Sequence, residues 1–291
     1  MSSPQQKPMH IGGSKQVALT TISFIIVLIL FALFMFPFIM VLLNSLKAKV
    51  QIIRNPFGFA SVSLSQAAFN YKRAFTTMNY IRSFCNSLFV TGLSTVCVVF
   101  LSSMLAYYLV RHVNKFSTAV SLIIVASMII PFQSLMIPLV SIYGSSLNVL
   151  NHRPTLIFMH TGFSIALSTF TFQGFIKSDC PVALEEAATI DGCGRYRTFF
   201  SIVFPLLKPI TFTIVILNVL AFWNDYLLPS LVLAKKEILT LPLTTYVFYG
   251  TYSAEYGVIM AALILTVVPI LVLYLALQKQ IIAGVISGAV K

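Results

Sequence analysis

The sequence predicts an all-α integral membrane protein with six transmembrane helices, and three observations carry that prediction. Only 9% of the 291 residues are charged and 58% are hydrophobic, against about 25% charged in a typical soluble domain. Six apolar runs each reach the roughly 20 residues that a helix needs to cross a hydrocarbon core about 30 Å thick. The basic residues sit between those runs. Inside lipid every backbone polar group must be bonded within its own segment, so each such run is read as a helix.

The first span covers residues 18–43, with Pro37 near its outer end. Its apolar stretch is too long for the core of a secretory signal and no small-residue cleavage site follows it, so it is read as a retained span behind a tail of residues 1–16. The second covers 84–110, bounded by Arg82 and Arg111. The third covers 117–143 and carries Pro131 and Pro138, where a kink or break is expected. The fourth covers 156–176, between Arg153 and Lys177, and the fifth covers 210–233, interrupted by Asp225. The sixth covers 257–277, with Pro269 inside it, and a tail of 278–291 follows. Residues 17–277 together form the transmembrane domain.

The connections are uneven. Residues 44–81 read as a long polar loop, and 234–256 as another sizeable one. Residues 177–209 form a long loop that holds four of the seven acids: Asp179, Glu185, Glu186 and Asp191. The net charge of +12 fits either nucleic acid or anionic lipid. With the basic residues between apolar runs, the partner is the lipid bilayer and no nucleic acid is expected. Lys and Arg bias, which normally sets orientation, divides the 19 basic residues ten to nine and decides nothing. Cys85, Cys97, Cys180 and Cys193 form no C-x-x-C pair, and no zinc-finger His spacing accompanies them, so they read as free thiols and no metal site is expected.

The loop 177–209 carries the chemistry. Ser178 or Asp179 is expected to cap a short helix, with Pro181 in its first turn. Glu185 and Glu186 lie in that helix, and Ala187 and Ala188 are small enough to let another surface approach. Gly192 and Gly194 supply residues suited to positive φ at its end. Tyr196, Phe199, Phe200, Val203 and Phe204 recur at helical spacing and predict a second helix with one apolar face. Pro205 and Pro209 close the segment. The expected object is a helix–turn–helix on the membrane surface. An ordinary amphipathic interfacial helix accounts for the spacing alone about as well.

The residues of this loop resemble the coupling signature of bacterial ABC importer permeases: Glu186-Ala187-Ala188, then Asp191-Gly192, then Ile202 and Pro205, with all spacings matching. Phe204 stands where Leu is usual. The resemblance extends over nearly the whole chain, to the smaller six-helix permease of carbohydrate importers of the maltose type. Pro37 and residues 44–47 (Asn-Ser-Leu-Lys) resemble the end of that family's first helix, and Asn86-Ser87-Leu88 the start of its second. Pro131 and Ile137-Pro138-Leu139 resemble its third, and Trp223-Asn224-Asp225 its fifth. Gln278, Gly284 and residues 288–291 resemble its C-terminal signature, with Gln280 where an aromatic is common.

The resemblance implies a type I importer permease fold of the MetI-like kind with a cytoplasmic coupling helix. It implies that Glu185, Glu186, Ala187, Ala188, Thr189, Asp191 and Gly192 dock into a separate ATPase dimer, supported by Ile202 and Pro205. It implies a second, homologous permease as partner in a heterodimer, an extracytoplasmic solute-binding protein, and a sugar or oligosaccharide cargo. It also implies a place in the bacterial cytoplasmic (inner) membrane with both termini cytoplasmic. No G-x-x-x-x-G-K-[ST] occurs and no Gly-Lys pair exists in the chain, so ATP and magnesium are expected in the partner ATPase, with no cofactor on this chain and no enzymatic activity of its own.

Other candidates remain open. Asp225 is the sole acid well inside a span, where a charge costs about 2.5–3.5 kcal/mol on insertion scales; with Asn224 it reads as a pathway or gate residue, or as a hydrogen-bonded structural acid near the outer end of the fifth span. His160, Gln133 and Gln173 either contact a hydroxylated solute or bond neighbouring helices. Tyr246, Tyr249 and Tyr252 either face the binding protein or anchor the chain at the interface. A non-sugar cargo such as glycerol phosphate or a polyamine fits the same machine. An ion-coupled secondary transporter predicts internal repeats and functional intramembrane charges, and no clear repeat is found. An intramembrane enzyme finds no H-E-x-x-H and no nucleophile–base pairing.

Overall fold

A computed structural model describes residues 14–59, 61–248 and 255–289, and those residues are helical throughout with short connections. In chain order the helices are α1 (Ser14–Ser45), α2 (Lys49–Arg54), α3 (Leu64–Thr77), α4 (Tyr80–Arg111), α5 (Lys115–Ser127) and α6 (Phe132–Val140), then α7 (Arg153–Asp179), α8 (Val182–Ile190), α9 (Arg195–Thr198) and α10 (Phe204–Leu206), and finally α11 (Lys208–Asn224), α12 (Leu227–Val232), α13 (Leu241–Thr244) and α14 (Tyr256–Ala289). Two π-helical turns occur, Ser141–Ser146 after α6 and Phe199–Val203 between α9 and α10. Among the described residues four helices are long and apolar enough to cross a membrane alone, and counting each of two bent pairs as one span brings the number to six.

The spans meet the sequence expectation in some places and depart from it in others. The third takes the break expected of its prolines: α5 and the α6 segment meet at 96°. The break falls at Pro131, which caps α6, whereas Pro138 sits inside α6 without breaking it. Proline disfavours helical geometry in the residue before it; Pro138, about two turns further on, falls in the last turn of α6. The fifth span ends at Asn224, because Asp225 is extended (φ −68°, ψ 125°) and α12 starts afresh beyond it. The 17 residues of α11 reach roughly 26 Å at 1.5 Å per residue, short of the hydrocarbon thickness. The region expected as a loop over 44–81 contains α2 and α3. The sixth helix runs on through the residues expected to form a separate tail, to Ala289.

The chain divides into two compact units, Met1–Arg73 with Glu255–Ile264, and Ala74–Ala254 with Leu265–Lys291. In the first, Lys47 is fully buried. Its ammonium donates to the carbonyls of Asn55 (3.3 Å) and Pro56 (2.9 Å), closing the end of α2, and burial lowers its pKa. Asn70 donates its amide to the carbonyls of Ser45 and Lys47. Gly257 packs so close that a Cβ there would stand 2.5 Å from the Lys47 carbonyl oxygen, so only glycine fits. Lys47 therefore belongs to a buried polar knot and not to a solvated loop.

The second unit is organised on α4. Its buried face is a stripe of small polar residues, including Ser83, Ser87, Thr91, Ser94, Thr95, Ser102 and Ser103. Small side chains let helix backbones approach closely where lipid supplies no hydrophobic drive between spans, and α4 packs along α7 and α11. Two apolar clusters sit at different levels of this bundle. One joins Val90 to Leu156, Leu228 and Leu239. The other joins Val99 and Ala106 to Phe172, Ile176, Phe199 and Val203.

Candidate functional site: the surface helix and the bundle cavity

α8 starts at Val182 with Pro181 as its capping residue, and no side chain closes its first turn. Ser178 and Asp179, expected as caps, instead belong to the last turn of α7. The C-terminus is closed as a Schellman motif. Gly192 donates to the Thr189 carbonyl (3.0 Å) and Cys193 to the Ala188 carbonyl (2.9 Å), with Gly192 at φ +79°. That conformation costs an L-residue roughly 1–2 kcal/mol, which glycine avoids. A Cβ at Gly192 would meet nothing within 4 Å, so the requirement is conformational and the space outside is open. Gly194, also expected at positive φ, has φ −75° and caps α9.

The two faces of α8 differ. Val182, Glu186, Ala187, Thr189 and Ile190 are exposed, Ile190 to 87%. Ala188 is buried against the chain's own bundle. Glu185, expected to face a docking partner, turns inward. Its Oε1 accepts from Arg111 Nε (2.8 Å) and Nη2 (2.7 Å), and its Oε2 accepts from the Tyr107 hydroxyl (2.7 Å). Both members of the ion pair are 13–14% exposed. Arg111 Nη2 also donates to the Cys180 carbonyl at 2.8 Å, and burial pushes the Cys180 thiol up. The physical reason is register: Glu185 stands about 100° around the helix from Glu186, on the side of buried Ala188, where Arg111 and Tyr107 of α4 are within reach.

The second helix of the motif is shorter and less regular than its spacing predicts. α9 passes through a π-turn into α10. Phe199 and Val203 are buried, Tyr196 and Phe200 are exposed, and Ile202 is half-buried with Pro205 exposed. The i→i+5 bonding of a π-turn rotates side chains off the 3.6-residue period, which splits the expected apolar face. The segment meets α11 at 76°, a sharp bend at Leu207.

A cavity of about 840 Å3 lies elsewhere in the same unit, lined among others by Phe132, Tyr143, Phe158, Phe163, His160 and Asp225. The Nε2 of His160 lies 3.0 Å from Asp225 Oδ2, and the His160 ring, 3% exposed, stacks on Phe222 at 4.5 Å. Asp225 Oδ1 accepts from the backbone N–H groups of Leu227 and Leu228. This carboxylate thus caps α12 and holds His160 at once. With a carboxylate opposite, Nε2 is the donating nitrogen, and the buried Nδ1 has no hydrogen-bond partner among the described residues.

The remaining candidates separate. Gln173 donates to Ser121 Oγ (3.3 Å), joining α7 to α5, and Asn224 donates to the Leu220 carbonyl in its own helix. Gln133 is exposed on α6 and does not line the cavity. Tyr246 is exposed and pairs with Tyr226 at 6.0 Å; Tyr249 and Tyr252 lie outside the described residues. The cysteines described are free thiols, and no cluster of metal-ligating side chains occurs among the described residues. Sequence reading missed Tyr107, Arg111 and Ile190. A signal existed for the first two: an Arg ending a span with a Tyr four residues earlier puts both groups on one face.

The chain is 39% identical over 264 residues to the "Probable starch degradation products transport system permease protein" of Thermoanaerobacterium thermosulfurigenes, covering 91% of this chain and 94% of that protein. It is 37% identical to the melibiose/raffinose/stachyose import permease protein of Bacillus subtilis, covering 88% and 91%. Its fold matches a chain in the crystal structure of a bacterial ABC transporter involved in import of the acidic polysaccharide alginate, with TM-score 0.78 and 18% identity, over 92% of this chain and 98% of that one. The family model for inner membrane components of binding-protein-dependent transport systems matches residues 98–287, a stretch that holds both α8 and the cavity. The chain belongs to that family: it is a multi-pass ABC permease subunit of the inner membrane, a transport component and not an enzyme, whose membership implies an ATPase and a solute-binding protein as partners.

Proposed function

We propose that this chain forms one half of the translocation pathway for a sugar or oligosaccharide, and that α8 is the helix through which the partner ATPase drives it. The observation that carries the reading is the outward face of α8, with Glu186, Ala187, Thr189 and Ile190 exposed beside the Schellman turn at Gly192. An acid, small residues and a large bare aliphatic side chain make a surface suited to a cleft in a soluble partner. ATP and magnesium belong to that partner. An ATPase docked on α8 would put α8, and with it both termini, on the cytoplasmic side. The second pathway half is a homologous, non-identical permease. Saccharide cargo is supported by the named cargoes of the relatives, starch degradation products and melibiose, raffinose and stachyose. An aromatic-lined cavity with a polar pair suits a molecule that stacks its apolar face and bonds through hydroxyls.

Co-purification tests the docking surface. Glu186→Lys, on the exposed face, is expected to release the ATPase from the detergent-solubilised complex while the permease still accumulates in the membrane. Retention of the ATPase at wild-type stoichiometry overturns the assignment.

A further inference from the structure

The inward face of α8 does something the docking surface does not. Glu185 uses both oxygens on α4: Oε1 on Arg111, Oε2 on Tyr107. The same guanidinium reaches the Cys180 carbonyl in the link between α7 and α8. Charge-assisted bonds of this length, shielded from water, are strong and directional. The helix so gripped runs unbroken from Tyr80 to Arg111.

Its other end is gripped too. Asn86 donates to the carbonyls of Glu237 and Leu239, 3.0 Å each, and accepts from Arg153 Nη1 at 3.0 Å. Ser87 accepts from the Leu241 backbone N–H at 2.7 Å. Asn86 and Arg111 are about 38 Å apart along the axis at 1.5 Å per residue. Polar locks therefore join the surface helix, through one unbroken span, to the connection at its opposite end.

We infer that Glu185 is a positioning residue that locks α8 to α4 through Arg111 and Tyr107, so that force applied to the surface helix reaches the far end of the bundle as motion of one rigid lever. The inference rests on α8 being the site of ATPase docking. It divides two adjacent glutamates by role: Glu186 meets the partner and Glu185 passes the displacement on. Coupling between distant sites needs such an element with a defined response to both.

Spin labels test the lock directly in the assembled importer. Native cysteines are replaced by alanine, and labels are placed at Ala183→Cys on α8 and Leu101→Cys on α4, both exposed. One narrow distance is expected, the same without nucleotide and after trapping with magnesium, ATP and vanadate. In Glu185→Gln the distribution is expected to broaden and to shift on trapping by about 2 Å or more, the scale of helix shifts in switching proteins. The reversed pair Glu185→Arg with Arg111→Glu is expected to narrow it again, which loss of general stability does not do. If Glu185→Gln fails to accumulate, Tyr107→Phe removes one bond and carries the same measurement. A wild-type distance that changes on trapping overturns the proposal, as does a lock variant indistinguishable from wild type. If the ATPase docks elsewhere, Glu186→Lys retains it, while the nucleotide-free distances still report on the lock.

Discussion

The surface helix and the cavity each hold one carboxylate that meets a nitrogen base, and they use it differently. Glu185 joins two helices that are far apart in sequence, α8 and α4, with both its oxygens spent on the neighbour. Asp225 divides its oxygens between a helix break in its own segment and His160 of α7. The first site is a joint at the C-terminal end of α4, with an exposed face of α8 beside it. The second is a brace placed where a span is interrupted. Ionisable groups inside a bundle are costly unless paired, so this protein places such groups where two elements must be held in a fixed relation.

Gly192 offers the largest expected break in that contrast. Trp there carries the left-handed strain of roughly 1–2 kcal/mol and also projects bulk into the open space where a partner must sit. Uptake by the assembled importer is expected to be lost almost completely while the ATPase continues to turn over. Asn tolerates positive φ, so Gly192→Asn is expected to keep most uptake; equal loss in both variants makes the open space irrelevant. Substitution at Asp225 comes next. Asp225→Ala removes an α12 cap worth about 0.5–2 kcal/mol and strands buried His160 at a further cost of about 1–3 kcal/mol. Asp225→Asn keeps the cap and is expected to recover at least half of the lost thermal stability in detergent. If Asn is no better than Ala, the brace is electrostatic and not a cap. Smallest is Gln173→Leu. A hydrogen bond between membrane helices averages about 0.6 kcal/mol, so the midpoint of thermal unfolding should fall only slightly, with uptake unchanged. A large loss of uptake there gives Gln173 a pathway role that its bond to Ser121 does not.

How far the sequence could be read follows from which forces are local. Length and hydropathy placed the second and fourth spans within a few residues of α4 and α7, because lipid imposes the same length on each, whereas the fifth helix stops at Asn224 and the sixth runs on to Ala289. Pro131 and Asp225 were visible as interruptions, yet a sharp 96° bend and a fresh helix after Asp225 depend on what packs against the break. In the surface loop the order of residues gave α8 and its glycine turn, since a Schellman motif is made within six residues. It did not give the direction of Glu185. That depends on Arg111, 74 residues away, and on an α4 register set by a stripe of serines and threonines.

Taken alone, the amino-acid order determined a charge-poor chain of six spans with an acidic, glycine-ended helix between the fourth and fifth. Tertiary structure decided which glutamate faces outward, which candidates meet at the cavity, and that Gln173 and Asn224 serve helix contacts. The physical reason is that burial and backbone bonding act along the chain, whereas the pairing of buried polar groups is settled only when distant helices bring the partners within about 3 Å.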